Sequence, residues 1–322
     1  MSKLGSLREN FHDPFWWRRQ AIPYLIRSPA KQYLKFRYTP SAPKLRLMDE
    51  DWDNIIILDA CRYDQFKRHN TIPGELQVRT SRGSATPEFL TANFDGEIHH
   101  DTVYVTANPM YRTRGLENVF HDVVDVWKDE WDEEWRTVYP EQMASRTLEA
   151  YREYPEKRII SHFMQPHYPF IGDAADELGA HSGFELTYRK AQGKAAKRDD
   201  PTVWELLENG KVDEELVWDA YNETLEIALG HVEPLVDEFP EKTVVTSDHG
   251  NFVGERVLPF GNPKYGHPVG VYADELRKVP WLVIEGDERK TVKSETTTPH
   301  DHDSEPSATV SDRLVDLGYI DQ

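Results

Sequence analysis

The sequence predicts an α/β fold with a mostly parallel central sheet and helices on both faces, a three-layer sandwich. Short runs of β-branched and other apolar residues recur along the 322-residue chain, and stretches with helical spacing lie between them. That alternation is typical of parallel sheets whose two faces are both buried. A chain of this length can bury the core of one large α/β domain.

Six apolar runs are predicted to form strands. The first, Asn54-Ile55-Ile56-Ile57-Leu58, shows no alternation of apolar and polar residues, as expected for a strand that is buried on both faces. The other predicted strands cover residues 102–106, 119–126, 158–163, 243–247 and 279–284. Pro280 stands near the start of the last run, where a strand tolerates proline.

Helical spacing of apolar residues predicts two long helices, over residues 141–154 and about 213–238. A further helix is expected to begin at Thr86-Pro87-Glu88, which combines a capping hydroxyl, a proline at the first position and an acid in the first turn. Residues 286–305 are predicted to form a polar loop, and a last helix is predicted over residues 307–317.

Composition divides the chain into a basic, aromatic N-terminal arm over residues 1–47 and a domain over residues 48–322. The arm holds ten Lys and Arg against two acids, so its charge is about +8. Aromatic rings interleaved with cations fit contact with an anionic membrane surface, and they also fit an arm that wraps around an acidic domain or a second subunit. Residues 173–212 are polar and are predicted to form a lid or a surface insertion.

The domain that follows the arm is strongly acidic. The whole chain carries a net charge of −19, so the part outside the arm carries about −27. An acidic surface repels nucleic acid, which argues against a nucleic-acid partner. The same acidity suits a halophilic source or an ordinary acidic cytosolic protein.

The ends and the cysteine content indicate a cellular location. No run of about 18 apolar residues is present, and the N-terminus lacks the apolar core of a signal peptide. We therefore expect a cytoplasmic protein, whose arm could associate with the cytoplasmic face of a membrane. The single Cys61 excludes an internal disulfide framework and a cysteine-based zinc cage.

Adjacent Asp and His residues at the end of one predicted strand indicate a metal site. Asp248 and His249 follow the run at 243–247, and carboxylate oxygen and imidazole nitrogen are ligands that zinc and manganese accept. Neighbouring strand residues point to opposite faces, so both reach one ion only if the chain leaves the strand there, and Gly250 permits that bend. Ligands gather at the carboxyl ends of strands, so Asp59 at the end of the first strand is the expected third ligand.

Three histidines stand at or after other strand ends. His162, His167 and His267 are predicted to hold a second ion, or to stabilise substrate oxygens and protonate a leaving group. Any one of them alone would commonly be an ordinary core or surface residue. Arg62 is a candidate partner for a developing negative charge, although its place at a helix start is also typical of a structural ion pair.

Taken in order, these motifs resemble the alkaline phosphatase superfamily, in its sulfatase-like branch. Residues 58–64, Leu-Asp-Ala-Cys-Arg-Tyr-Asp, are similar to the branch's first-strand motif, an Asp ligand followed by Leu-Arg-x-Asp, with Cys61 where leucine is usual. Residues 162–170 resemble the family's His-x-x-x-Pro-His-x-Pro-Tyr segment. Residues 246–255 resemble the Ser-Asp-His-Gly-x-x-x-Gly-Glu motif shared with phosphoethanolamine transferases. The resemblance spans roughly residues 52–320.

The resemblance implies a hydroxyl nucleophile at a helix N-terminus beside the metal, where both stabilise an alkoxide. Gly83-Ser84-Ala85-Thr86 is similar to the Gly-Ser-Trp-Thr segment of sulfatase-like relatives, in which Thr is the nucleophile, so Thr86 is the expected nucleophile. A shifted comparison makes Ser84 or Ser81 the nucleophile instead. A purely capping role for Thr86 is the remaining alternative.

The same segment bears on the reaction. The Cys-x-Pro-x-Arg motif of formylglycine sulfatases is absent, and a Thr or Ser nucleophile is better matched to phosphoryl transfer, as in phosphonate and phosphate ester hydrolases. We therefore expect a hydrolase or transferase of phosphate mono- or diesters that uses one or two divalent ions, zinc, manganese or calcium. Its substrate would be a small-molecule, lipid-linked or glycan-linked ester.

Three alternatives stay open at the level of sequence. The first is a sulfatase with an unmodified nucleophile. The second is a relative of cofactor-independent phosphoglycerate mutase, although the chain is short for that enzyme's inserted domain. The third is a non-catalytic glycan- or lipid-binding protein on the same fold.

Overall fold

The computed structural model describes residues 43–132, 135–178, 201–257 and 262–295. Most of the predicted arm, the middle of the predicted lid and the predicted helix at 307–317 lie outside these residues.

The strands and helices of the described residues are numbered here in chain order. The strands are β1 (Asn54–Leu58), β2 (Glu75–Thr80), β3 (His99–Thr106), β4 (Phe120–Asp125), β5 (Trp131–Asp132), β6 (Thr137–Val138), β7 (Arg158–Phe163), β8 (Thr243–Ser247), β9 (Phe252–Val253), β10 (Tyr265–Gly266) and β11 (Lys278–Ile284). The α-helices are α1 (Tyr63–His69), α2 (Thr86–Phe94), α3 (Val126–Asp129), α4 (Pro140–Glu153), α5 (Asp173–Leu178), α6 (Val203–Glu208), α7 (Glu214–Asp237) and α8 (Asp274–Arg277). Short 3₁₀ helices cover Leu47–Asp49 and Pro109–Arg114.

Seven strands form one sheet in the order β2-β11-β8-β1-β7-β3-β4. The central strands pair in parallel, and β11 runs antiparallel to both of its neighbours. The predicted fold class, a mostly parallel sheet with helices, is therefore confirmed.

Every predicted strand is present, and the bounds of β1, β7 and β8 match the prediction. β3 begins at His99, three residues before the predicted start at 102. These first three residues were not predicted to be part of the strand because they are polar and only partly buried. β2 was not predicted, since its sequence Glu-Leu-Gln-Val-Arg-Thr belongs to a half-exposed edge strand.

Side chains of β1 alternate between two apolar cores, which makes the domain three-layered. Ile56 and Leu58 belong to the core under α4 and α7, whereas Ile55 and Ile57 belong to the core under α2. Helices therefore cover both faces of the sheet, as the unbroken apolar run of β1 predicts.

The register of the central strands positions polar residues at one edge of the sheet. β1 lies between β7 and β8, and Leu58 pairs with Phe163 on one side and Ser247 on the other. The residues that follow, Asp59 and Asp248, therefore leave the sheet side by side. Ala60 adopts the left-handed conformation, with φ of 61°, and turns the chain sharply after Asp59.

The described ends of the predicted arm and lid pack on the domain. Leu45 and Leu47 are fully buried, and the backbone N–H of Leu45 donates to the carbonyl of Thr80 in β2. Leu178 of α5 and Trp204 of α6 join an apolar cluster with α7.

Candidate metal centre

Asp59, Asp248 and His249 come together as predicted. All three are fully buried, and one ligand atom from each lies within 4.8 Å of the others. The Nε2 atom of His249 is 3.6 Å from Oδ1 of Asp59 and 3.5 Å from Oδ2 of Asp248. The other Asp248 oxygen accepts from the backbone N–H groups of Ala60 at 3.0 Å and His249 at 2.8 Å, which fixes the carboxylate.

His162 faces the same point. Its Nε2 lies 3.8 Å from Oδ2 of Asp59 and 3.9 Å from Oδ2 of Asp248, beyond hydrogen-bond distance. Among the described residues, this nitrogen, Oδ1 of Asp59 and Oδ2 of Asp248 are buried polar atoms without a hydrogen-bond partner.

Unpartnered buried polar atoms are costly, and their convergence on one point is what a bound cation explains. Two ligand atoms at about 2.1 Å from a tetrahedral ion lie about 3.4 Å apart, close to the separations seen here. The residues present therefore fit a divalent cation held by Asp59, Asp248 and His249.

The buried groups have shifted pKa values. Burial and the neighbouring Asp248 raise the pKa of Asp59. Burial acts in the same direction on Asp248, but His249 and His162 outweigh it and lower the pKa of that carboxyl. Burial lowers the pKa of His162 to about 4, so its imidazole is neutral near pH 7. Carboxylate and neutral imidazole are the forms that ligate metals.

Thr86 places a hydroxyl directly against this cluster. It is the first residue of α2 and is buried, and its Oγ1 lies 3.2 Å from Nε2 of His249 and 3.4 Å from Oδ2 of Asp59. The capping interpretation of Thr86 is wrong, because Ala85 occupies the cap position and its carbonyl accepts from the N–H groups of Glu88 and Phe89. The hydroxyl is left to face the site at the positive end of the helix.

The two alternative hydroxyls bond elsewhere. Ser81 donates to the backbone carbonyl of Asp248. Ser84 donates to Glu88 at 2.7 Å and accepts from the backbone N–H of Gly270 at 3.0 Å. Both therefore hold the loops around the site together.

His167 and His267 form a second histidine cluster that borders His249. The ring centroids of His267 and His249 are 4.5 Å apart, and those of His267 and His167 are 5.0 Å apart. Burial lowers the pKa of His167 to about 4 and that of His267 well below its ordinary value. Within the described residues, the predicted grouping of these two with His162 is not seen. His162 lies within β7 and its Nε2 faces Asp59 and Asp248, whereas the other two lie on loops.

Arg62 has the surroundings of a structural ion pair. Its guanidinium binds Asp64 at 2.8 Å, pairs with Glu255 and donates to the carbonyl of Asn251 at 3.1 Å. Burial alone would lower its pKa, but Asp64 and Glu255 raise it above the ordinary value. The side chain of Asn251 in turn contacts Nδ1 of His267 at 2.8 Å, so Arg62 supports the loop that positions this histidine.

Two residues of this region were missed at the level of sequence. The side-chain amide of Asn108 donates to Oδ2 of Asp59 at 2.7 Å, and the hydroxyl of Tyr104 contacts Nδ1 of His162 at 2.7 Å. Asn108 could have been found, since it follows β3 at the same edge of the sheet as Asp59. Nothing in the sequence marks Tyr104 among the other buried residues of β3.

The expected reason for Gly250 is also corrected. Its backbone is not in the left-handed region, so the bend does not require glycine conformationally. Glycine is required by space, because a Cβ atom there would lie 2.2 Å from the backbone oxygen of Glu275.

Comparisons with known proteins gave structural matches only: no family model and no curated protein matches the sequence. One similar solved structure is the integral membrane protein lipooligosaccharide phosphoethanolamine transferase A from Neisseria meningitidis, at 12% identity and a TM-score of 0.47, covering 88% of this chain. This chain spans 60% of the length of the Neisseria protein.

Two further structures are similar. One is the C-terminal periplasmic domain of EptC from Escherichia coli in complex with zinc, at 14% identity and a TM-score of 0.43, covering 77% of this chain and 78% of that one. The other is a protein in the alkaline phosphatase superfamily from Vibrio parahaemolyticus, at 11% identity and a TM-score of 0.41, covering 81% and 69%. One of the similar structures is thus described as a member of the superfamily that the motifs resemble.

These comparisons contradict the cytoplasmic location expected from the sequence. The Escherichia coli structure is described as a periplasmic domain and the Neisseria protein as an integral membrane protein. The expectation of a cytoplasmic protein, and of association with the cytoplasmic face of a membrane, is therefore wrong. Within the described residues, no helix combines the length and the apolar composition needed to cross a bilayer.

Proposed function

We propose that this protein is a metal-dependent hydrolase or transferase of phosphate esters with Thr86 as its nucleophile. The observation that carries the proposal is the buried contact of the Thr86 hydroxyl with Asp59 and His249, at the N-terminus of α2. Asp59, Asp248 and His249 would hold a divalent ion, with zinc, manganese and calcium as candidates. The ion would neutralise charge and lower the pKa of the nearby hydroxyl.

Thr86, His167 and His267 would have different roles in the reaction. Oγ1 of Thr86 would form a bond to phosphorus while the bond from phosphorus to the leaving oxygen breaks. One of His167 and His267, both neutral and beside His249, would take up the proton that the Thr86 hydroxyl releases. As an imidazolium it would donate a hydrogen bond to a phosphoryl oxygen and then protonate the leaving oxygen. Water or an acceptor hydroxyl would then take the phosphoryl group from Thr86, which regains its proton.

The reaction class is tested with matched esters. Purified protein with zinc, manganese or calcium is assayed with p-nitrophenyl phosphate, bis-p-nitrophenyl phosphate and p-nitrophenyl sulfate. We expect turnover of a phosphate ester, its loss in EDTA, and a loss of at least about 100-fold in kcat for Thr86→Ala. Turnover of the sulfate ester alone would make the protein a sulfatase.

The neighbouring serine supplies the control. Ser84→Ala removes a buried hydroxyl two residues away that bonds Glu88 and the loop at Gly270. It should keep most of the kcat, and only the protein with Thr86 intact should give a phosphothreonine signal by ³¹P NMR after reaction. Equal activity of Thr86→Ala and wild type would disprove the assigned nucleophile, and lack of bound metal with no turnover of any ester would favour a binding protein.

The substrate is proposed to be a lipid-linked or glycan-linked ester that the arm helps to reach. The support is the composition of residues 1–47, in which aromatic residues alternate with ten Lys and Arg. Full-length protein should float with vesicles that contain anionic lipid, whereas residues 43–322, which keep the buried Leu45 and Leu47, should not. Equal partitioning of the two proteins would show that the arm does not bind the membrane. That result would not bear on the proposed reaction at Thr86.

A further inference from the structure

We propose that Asn108 is a positioning residue that holds one oxygen of the Asp59 carboxylate and thereby leaves the other, Oδ1, to bind the cation. The side-chain amide of Asn108 donates to Oδ2 of Asp59 at 2.7 Å, and both residues are buried. This inference deepens the proposed function and rests on it for the presence of a cation at the site.

The orientation of the Asn108 amide is fixed from its other side. Its oxygen accepts from the backbone N–H of Met110 at 2.9 Å, because Asn108 caps the 3₁₀ helix that begins at Pro109. A backbone N–H can only donate, so the amide oxygen must face Met110 and the NH₂ group must face Asp59. The backbone of Asn108 is also held, since its N–H donates to the Thr106 hydroxyl at 2.9 Å. The amide donor is therefore presented to the carboxylate in one orientation.

Asp59 and Asp248 share a pattern in which the protein holds one oxygen of each carboxylate. In Asp248 this oxygen is Oδ1, which accepts from two backbone N–H groups. In Asp59 it is Oδ2, which lies closer to the Asn108 amide than to the Thr86 hydroxyl at 3.4 Å. The other oxygen of each carboxylate has no hydrogen-bond partner among the described residues, and these two oxygens lie 3.6 and 3.5 Å from Nε2 of His249. We assign these three atoms to the cation.

The two carboxylates differ in what holds them. Backbone groups hold Asp248, whereas the shortest contact of the Asp59 carboxylate depends on a single side chain. Without the Asn108 amide, Oδ2 of Asp59 would keep only the longer contact with Thr86, and the carboxylate would be free to rotate. Loss of a hydrogen-bond partner of a metal ligand typically weakens metal binding by about 10- to 100-fold. We therefore expect a loss of at least about 10-fold in zinc affinity.

Asn108→Ser tests the amide separately from the helix cap. A serine hydroxyl can still cap the 3₁₀ helix but is too short to replace the contact with Asp59. Zinc affinity is measured by competition with a chromophoric chelator, and urea denaturation in EDTA measures the stability of the same protein without metal. We expect the variant to unfold cooperatively and to bind zinc at least about 10-fold more weakly. Asn108→Thr, which also caps and suits the extended backbone of this position, should give the same result.

Asn93→Ser is the matched control. Asn93 is a buried asparagine with the same two kinds of contact, since its amide donates to the carbonyl of Phe89 at 2.9 Å and its oxygen accepts from the N–H of Leu47 at 3.1 Å. Both of these partners are backbone groups outside the metal cluster. Asn93→Ser should therefore lower the stability of the fold and keep the zinc affinity of wild type.

Three outcomes would overturn the role of Asn108. The first is unchanged zinc affinity in both Asn108 variants. The second is an equal loss of affinity in Asn93→Ser, which would indicate a general effect of a less stable fold. The third is loss of cooperative unfolding in both Asn108 variants, which would make Asn108 a residue of the fold itself. Failure of wild type to bind zinc, manganese or calcium would contradict the proposed function, and the role of Asn108 would fall with it.

Discussion

Asp59 and Asp248 place two carboxyl groups in a fully buried cluster. Burial and the charge of Asp248 raise the pKa of Asp59 above its ordinary value of 3.8. At pH values above 3.8 the unfolded chain gives up this proton more readily than the folded protein. The carboxyl therefore weakens the metal-free fold near neutral pH, a cost that a bound cation would offset.

Asp59→Asn should therefore stabilise the metal-free protein while removing metal binding. We expect the free energy of unfolding at pH 7 to rise by about 1–3 kcal/mol, because a buried, partly unsatisfied carboxyl is replaced by a neutral amide. Urea denaturation in EDTA measures this change. Zinc should raise the Tm of wild type and leave that of the variant unchanged.

The pH dependence of the same pair of proteins follows from the sign of the pKa shift. Since the pKa is raised in the folded state, the penalty develops above pH 3.8 and is absent below it. The advantage of Asp59→Asn should disappear as the pH is lowered to about 4. Asp64→Asn is the control, and it should change the stability near neutral pH in the opposite direction. Burial raises the pKa of Asp64, but Arg62 outweighs burial and lowers it. A variant at Asp59 that is less stable than wild type in EDTA would contradict the argument.

The elements that carry the site meet through close backbone contacts, and the loop after β8 is the tightest. The N–H of Gly250 donates to the carbonyl of Leu276 at 2.9 Å, which ties the loop bearing His249 to α8. An added Cβ atom would lie 2.2 Å from the oxygen of Glu275 and 2.9 Å from Cγ of Arg62. Backbone must move to admit a methyl group there.

Gly250→Ala should destabilise the fold by about 1–3 kcal/mol and weaken metal binding, since it displaces His249. Gly230→Ala is the matched control, because Gly230 is an exposed residue of α7 with no heavy atom within 4 Å of an added Cβ. That change should stabilise the helix by about 1 kcal/mol. Chemical denaturation and zinc titration of both variants check the prediction, which fails if the two alanines have effects of the same sign.

The strands and helices that could be predicted are those marked by the composition of one continuous segment. An unbroken apolar run such as β1, or a repeated apolar face such as that of α7, is visible in the sequence because burial dictates composition. The antiparallel direction of β11 and the edge strand β2 depend on pairing between distant segments, which composition does not record.

The same distinction holds for the site. Asp59, Asp248 and His249 could be predicted because strand ends share one edge of a parallel sheet. The side that His162 faces could not, since it depends on its position within β7, one residue before the strand ends. The choice of Thr86 over Ser84 depends on which turn residue caps α2, and here it is Ala85.

At the scale of the whole molecule, the net charge of −19 should make stability depend on salt. Like charges destabilise the compact state, and screening shortens the reach of their repulsion from about 10 Å at 0.1 M to about 3 Å at 1 M. We expect the Tm to rise by at least about 2 °C between 0.05 and 1 M KCl, mostly below about 0.5 M. A Tm that stays constant or falls over this range would show that repulsion between like charges does not limit the stability of the fold.

The order of strands in the sheet also has a consequence for synthesis of the protein. The hydrogen bond from Ala60 to Asp248 joins residues 188 positions apart, because β1 and β8 are neighbours in the sheet but distant in the chain. A ribosome releases β1 long before β8, so a nascent chain that has not reached Asp248 holds only part of the cluster. Capture of a cation by this cluster would therefore be a late event of biogenesis, and the ion would be retained only by chains translated past β8.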